Sequence, residues 1–258
     1  RTGKGYLSYS ALKYASDNSK QQDMKLFELY MRGLLRKESP ALTFGSLYDC
    51  MLLEPENVDD RFYVLDDTDI CAEIGGKNPR ATKKYKEWKA EQDSNGKTIV
   101  GEADWNMAVD MINRLDVSEV VDPNTGELVS VRQFLAGDAQ HEINSWIGEV
   151  PVRGFLDVRG DGFITDSKST RSIHGFRYDV NSFCYDIQAY IYTQVMGTND
   201  FYWVVQEKTK PYLCGVYKAS EQTLKSGERK FWSAVNNIER WLDNPEKDTD
   251  TFALFGTI

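Results

Sequence analysis

The order of the hydrophobic patterns predicts an α/β protein, a mixed sheet with helices packed on it. Three observations carry that prediction. Apolar residues recur at helical spacing in the first part of the chain, β-rich runs separated by glycine turns follow Gly137, and helix and strand then alternate to the end.

Taken in order, Ser8-Tyr9-Ser10-Ala11-Leu12 reads as a capped helix start, and Met24, Leu26, Phe27, Tyr30, Met31, Leu34 and Leu35 recur at helical spacing. Residues 44–53 form a further candidate helix, opened by Gly45-Ser46. Residues 83–92 and 102–115 form two more, with Asp93-Ser94-Asn95-Gly96 as the loop between them. Asp122-Pro123-Asn124-Thr125-Gly126 is a strong turn. Residues 142–147 and 150–158 read as a β-hairpin about Gly148-Glu149, and a third run, 163–166, follows the turn at Gly160-Asp161-Gly162. A helix over 183–196, strands over 201–207 and 212–218, and a helix over 221–242 complete the chain.

The chain has 258 residues, with no repeat, low-complexity segment or linker to mark a boundary, so one domain over residues 1–258 is expected. Residues 1–136 form its mainly helical part and residues 137–258 an αβββαβ-type core. At 41% hydrophobic and 28% charged, the composition excludes disordered, collagen-like and disulfide-scaffold classes. No apolar run spans a membrane and residues 1–14 lack the apolar core of a signal peptide, so a cytoplasmic location is expected. Cys50, Cys71, Cys184 and Cys214 form no C-x-x-C pair, which disfavours zinc and iron-sulfur sites and suits buried reduced thiols.

The net charge of −9 ordinarily counts against nucleic-acid binding. It is, however, concentrated. Between Asp49 and Glu73 nine acids face one base, Arg61, and the rest of the chain is nearly neutral. Bases dominate 77–97 and 207–230. Arg153, Arg159, Arg171 and Arg177 surround the β-rich runs, and Lys208 and Lys210 follow the next strand; these cations can grip phosphates or simply face solvent. Trp146, Phe176, Tyr178 and Tyr185 can stack on a base, although core packing suits most of them better.

The chemistry lies between Glu142 and Lys168. Asp157 ends the second strand and Asp166 the third, with Lys168 two residues on and therefore on the same face if the strand continues. If the two strands are neighbours, Asp157 faces Asp166. Two carboxylates are hard ligands for Mg²⁺ or Mn²⁺, and an ammonium beside them can orient an attacking water, a set suited to phosphodiester hydrolysis. The tripeptide Asp-x-Lys alone is common and fits an exposed ion pair at a strand end equally well. His141 and His174 are too isolated to suggest a histidine-dependent mechanism.

Gly154-Phe155-Leu156-Asp157, Ile164-Thr165-Asp166-Ser167-Lys168-Ser169-Thr170 and Gln188-Ala189-Tyr190-Ile191-Tyr192 together resemble the PD-(D/E)xK nuclease superfamily, in its recombination-nuclease branch with a Q-x-x-x-Y helix. Leu7-Ser8-Tyr9-Ser10-Ala11-Leu12-Lys13, Ser39-Pro40, Phe44-Gly45-Ser46-Leu47, Leu53-Glu54-Pro55 and Val205-Gln206-Glu207-Lys208 extend the likeness over most of the chain. These segments look like the phage and prophage exodeoxyribonuclease VIII group. The resemblance implies a restriction-endonuclease-like core, a mixed central β-sheet flanked by helices, with an N-terminal helical extension. It also implies Mg²⁺-dependent 5′ to 3′ degradation of linear duplex DNA in a bacterial or phage-infected cytoplasm, leaving a 3′ overhang for a single-strand annealing partner, and points to a homo-oligomer. Single-strand or structure-specific cleavage, or a catalytically silent DNA-binding module, stay open on the same core.

Carried over residue by residue, the resemblance makes Asp157, Asp166 and the Ser167 backbone carbonyl metal ligands, Lys168 the water-orienting and charge-stabilising residue, and Gln188 and Tyr192 groups facing the site and DNA. Glu142, preferred to Glu149 because it opens the hairpin, is the supporting acid. Where the family usually has histidine, four residues after the glycine of the F-G-S segment, this chain has Asp49, itself a competent hard-metal ligand. Leu156 replaces the nominal proline before the first catalytic acid.

Overall fold

The computed structural model describes residues 5–17, 19–35, 39–93, 96–122 and 125–243. The first helices begin where the sequence offers caps. Ser8 Oγ accepts from the Ala11 amide at the head of α1 (Tyr9–Ala15), Asp23 caps α2 (Met24–Met31), and Ser39 with Pro40 at the first turn starts α3 (Pro40–Leu53). The short α4 (Val58–Arg61) leads into β1 (Phe62–Leu65), followed by α5 (Thr68–Ile74) and α6 (Lys83–Asp93). Strand β2 (Thr98–Gly101) then pairs in parallel with β1 and runs into α7 (Glu102–Asp116). Strands β3 (Glu119–Val121) and β4 (Leu128–Ser130) form a small antiparallel ribbon across the turn expected at 122–126. Of the expected turn and loop, Pro123, Asn124, Ser94 and Asn95 lie outside the described residues.

The central sheet has the order β5-β6-β7-β8-β9. Its hairpin is β5 (Asp138–Ile147) with β6 (Val150–Arg159), turning at Gly148-Glu149 as expected and reaching back to Asp138. Strand β7 (Ile164–Thr170) pairs antiparallel with β6 and in parallel with β8 (Phe201–Glu207). The crossover between those parallel strands is α8 (Phe176–Ser182) and α9 (Tyr185–Met196). Strand β9 (Cys214–Lys218) closes the sheet, and α10 (Glu221–Leu242) packs against α9.

Two expectations are corrected, and four short strands are added. The helix over 183–196 starts at Tyr185, because Cys184 takes a left-handed conformation (φ 58°) that separates α8 from α9. The last strand starts at Cys214, two residues late, with Tyr212 also left-handed (φ 58°) after a cis Lys210–Pro211 bond. Strands β1 to β4, at three or four residues each, are too short to show a period of two in the sequence.

Two apolar clusters flank the sheet. One joins α1, α9 and α10 to Val152, Leu156, Ile164, Phe201, Trp203 and Val205; the other joins α3 and α7 to Val204 and Val131. Alternation along β8 sends Phe201, Trp203 and Val205 into the first and Val204 into the second, so this strand is buried on both faces. Two glycines let backbones close up. A Cβ on Gly154 would stand 2.7 Å from the Tyr192 ring, and one on Gly227 of α10 would stand 2.0 Å from the Asp186 carbonyl oxygen of α9.

Candidate active site

The β6–β7 ladder holds only at Val158↔Thr165 and Arg159↔Ile164; beyond that the strands part. Asp157 and Asp166 are next in register, so the acids stand where the ladder ends. Asp157 Oδ2 accepts the Ser167 amide (2.8 Å), taking the place of a ladder partner and pinning the β7 backbone. Asp166 is buried, its Oδ1 receives Gln188 Nε2 (2.7 Å), and its Oδ2 pairs with Lys168 Nζ. That ion pair puts Asp166 and Lys168 on one face, as the alternation predicts. Lys168 Nζ also donates to the Ser167 carbonyl (3.2 Å) and lies over the Tyr185 ring, 5.2 Å from its centroid.

Helix α3 packs against β7 and brings Asp49 to this cluster. Burial pushes the Asp49 carboxyl up to about 7, Lys168 opposing and Asp166 adding to the rise. Burial, with Asp166 next, also holds Asp157 well above the usual carboxylate range. For Lys168, burial works against the ammonium, but Asp166 and Asp157 outweigh it and hold the lysine protonated. Tyr48, beside Asp49, donates to Gln206 Oε1 (2.6 Å), and Gln206 Nε2 donates to the Met111 and Tyr212 carbonyls, which fixes α3 against β8.

Gln188 and Tyr192 share a face of α9, toward Asp166 and Gly154 respectively. Burial and Asp166 raise the Tyr192 phenol above its ordinary value. The helix is held from behind by a buried ion pair between Asp186 and Lys230 (2.7 Å), with Ser226 Oγ on Asp186 (2.8 Å) and Lys230 on Asn181 Oδ1 (2.7 Å). Nothing in the sequence-level reading pointed to this network; a lysine on the apolar face of α10 was the available signal.

Glu142 is exposed, takes a hydrogen bond from Asn144 (3.1 Å) and pairs with Phe155, two residues before Asp157. The β5 residue that reaches Asp157 is Gln140, at 3.5 Å, from a left-handed backbone (φ 50°). Of the expected cations, Arg177 lies on the Tyr178 ring and Lys210 faces Asp110 at 3.5 Å. Arg171 and Lys208 line a cleft with Lys168. Arg153 and Arg159 stand on β6. Phe176 is fully buried, so it cannot stack on a base; Trp146 and Tyr178 are exposed. Tyr9 was read only as part of a helix start, yet its hydroxyl bonds the Phe183 carbonyl (2.5 Å) beside Tyr185.

Among the described residues no three His, Cys, Asp or Glu side chains form a ready metal cage. The donor chemistry nevertheless fits a hard divalent cation. The Lys168 ammonium already bridges Asp166 and the Ser167 carbonyl, so those oxygens are placed to receive positive charge, and Asp157 and Asp49 stand beside them as further hard oxygen donors.

A mixed sheet with helices on both faces, and an acid–acid–lysine set where two of its strands part, defines a PD-(D/E)xK-like fold. The chain belongs to the family described as a PDDEXK-like domain of unknown function, DUF3799, whose model matches residues 8–250. Among solved structures it is similar to a protein of Eubacterium rectale described as "Putative exonuclease", at 18% identity and TM-score 0.61, over 92% of this chain and 81% of that one. The SSO0001 structure aligns at 14% identity and TM-score 0.33, over 82% of this chain and 90% of that one. No curated protein matches the sequence.

Proposed function

We propose that the protein is a Mg²⁺-dependent DNA exonuclease that degrades linear duplex 5′ to 3′ and leaves 3′ overhangs, as in the exodeoxyribonuclease VIII group. The observation that carries the reading is the convergence of Asp157, Asp166 and Lys168 where β6 and β7 part, on a PD-(D/E)xK-like fold. The Eubacterium rectale structure described as "Putative exonuclease" supports it.

In this reading Asp157, Asp166 and the Ser167 carbonyl hold the cation, with Asp49 beside them, and the bound ion supplies Lewis-acid activation of the phosphodiester. Gln188 fixes the Asp166 carboxylate, and the hydrogen bond from the Ser167 amide to Asp157 fixes β7, the strand that carries Asp166 and the Ser167 carbonyl. Lys168, held protonated, orients the attacking water and balances charge developing on the phosphate. Glu142 has a supporting place only if substrate or metal draws its exposed side chain inward. A cytoplasmic site of action, a homo-oligomer and an annealing partner for the overhang belong to the same proposal.

The test is end-labelled linear duplex, nicked circle, closed circle and single strands, each incubated with Mg²⁺. Progressive release from the 5′ ends of linear duplex is expected, and its loss in Asp166→Ala and Lys168→Ala. Full activity in either variant, or cutting of closed circles at the same rate, overturns the reading.

A further inference from the structure

Where β6 and β7 part, another segment takes the vacated edge of β6. Leu7 bridges that strand in parallel, its amide donating to the Pro151 carbonyl (2.9 Å) and its carbonyl accepting the Arg153 amide (3.0 Å). Ser8 then caps α1, and the first residue of that helix, Tyr9, is delivered to the catalytic cluster. Its hydroxyl donates to the Phe183 carbonyl (2.5 Å) at the junction of α8 and α9, and its ring stands 6.2 Å from that of Tyr185, the first residue of α9. Phe176 stacks on the same ring at 6.0 Å, and Phe183 lies 5.7 Å from it. Tyr185 therefore has three aromatic neighbours to hold its ring, and the Lys168 ammonium lies over that ring, 5.2 Å from its centroid. Among the described residues Lys168 Nζ makes three close contacts: Asp166 Oδ2, the Ser167 carbonyl and the Tyr185 ring. The first two are the oxygens assigned to the cation, so the ammonium and a bound metal compete for them. The ring carries no such conflict, because its quadrupole attracts an ammonium while a hard cation takes oxygen ligands.

We propose that Tyr185 is a positioning residue whose ring holds the Lys168 ammonium while Asp166 and the Ser167 carbonyl serve the metal, and that Tyr9 fixes Tyr185 for that task. The inference rests on the nuclease reading for the work Lys168 does, and goes beyond it in bringing the start of α1 into the site. A lysine head on a flexible four-carbon stem needs a fixed contact if it is to orient a water, and the ring supplies one that metal binding leaves in place. The hydroxyl of Tyr185 has no part in this contact, so phenylalanine can replace tyrosine and an aliphatic residue cannot. Because Tyr185 acts through Lys168 alone, its loss lowers turnover and spares the affinities for metal and substrate.

The first readout needs no turnover. In protein labelled with carbon-13 at the lysine ε-carbons, the ring face should displace the NMR signal of the Lys168 ε-methylene upfield, and Lys168→Arg identifies that signal by removing it. The displacement should be present without metal and with millimolar Mg²⁺, persist in Tyr185→Phe and collapse in Tyr185→Leu. The second readout is release of label from end-labelled linear duplex with Mg²⁺. Tyr185→Leu should lower kcat by about 10-fold, with KM and calorimetric Mn²⁺ affinity within about twofold of wild type, and Tyr185→Phe should recover most of the loss. Tyr9→Phe, which keeps the ring and deletes the bond to the Phe183 carbonyl, should move both readouts the same way by less. Melting temperatures confirm that the variants fold, and the wild-type displacement with and without Mg²⁺ decides the question even where Tyr185→Leu does not. An undisplaced Lys168 signal, a displacement lost on adding Mg²⁺, full kcat in Tyr185→Leu, or a loss that Tyr185→Phe fails to recover overturns the positioning role. Wild-type readouts in Tyr9→Phe overturn the part assigned to Tyr9. The displacement and its collapse in Tyr185→Leu, with no nucleotide released by wild type, overturn the nuclease reading alone.

Discussion

Raising the pH of the metal-free protein from 5 to 8 should destabilise it, chiefly through Asp49. Its carboxyl rises from an ordinary 3.8 to about 7 in the folded chain, mainly through burial. Between those values the native state keeps a proton that the unfolded chain has released. The stabilisation is therefore fully present below about pH 4 and is lost as the pH climbs through 7. The part of that window crossed between pH 5 and 7, at about 1.36 kcal/mol per pH unit, sets a ceiling of about 3 kcal/mol. The side chain is only part-buried, and solvent screening brings that to about 2 kcal/mol, or roughly 4–8 °C in melting temperature for a chain of this size. Asp157, raised by the same causes, adds a slope of the same sign. Thermal melts in EDTA at pH 5, 6, 7 and 8 read the effect, and Asp49→Asn should remove a large share of it. Millimolar Mg²⁺ should flatten the wild-type curve, because a bound cation favours the charged carboxylates. Equal melting temperatures at pH 5 and 8 without metal, or a full slope retained in Asp49→Asn, would refute the reasoning.

Gln188→Leu removes the donor on Asp166 Oδ1; calorimetry should show Mn²⁺ affinity lowered by about 10–100-fold, and a value within twofold of wild type would exclude that role. Gly154→Ala drives a methyl into the Tyr192 ring and should cost about 1–3 kcal/mol in urea unfolding; an unchanged midpoint would contradict the close approach of β6 and α9. Lys230→Met strands the buried Asp186 carboxylate and should cost about 3–5 kcal/mol, most of it recovered when Asp186→Leu is added. A double variant no more stable than the single one would show that the pair does not hold α9 through charge.

Much of residues 137–243 was legible because its signals are local. The β5–β6 turn at Gly148-Glu149, the Asp166-x-Lys168 alternation and the α10 span each depend on neighbours in the chain. The misses share a different cause. The α8–α9 break depends on one left-handed residue, the buried Cys184, and β1 and β2 pair across 32 intervening residues. Glu142 was preferred from its place at the head of the hairpin, but hairpin register cannot say whether a side chain turns inward, and here it faces solvent.

The sequence by itself determined which chemistry is available: two acids and a lysine spaced on adjacent strands, a Gln and a Tyr on one helix face, and an acidic segment set apart from the basic ones. Tertiary structure alone decided how those groups are used. It ended the β6–β7 ladder at the two acids, so that Asp157 holds the Ser167 amide, and it buried Asp49 of α3 beside Asp166 and Lys168, which raises its carboxyl. It also made β7 and β8 parallel, which sets Arg171 and Lys208 side by side 37 residues apart in the chain. Spacing along a strand is fixed by covalent geometry, whereas burial, register and charge coupling arise only when distant segments exclude water from one another.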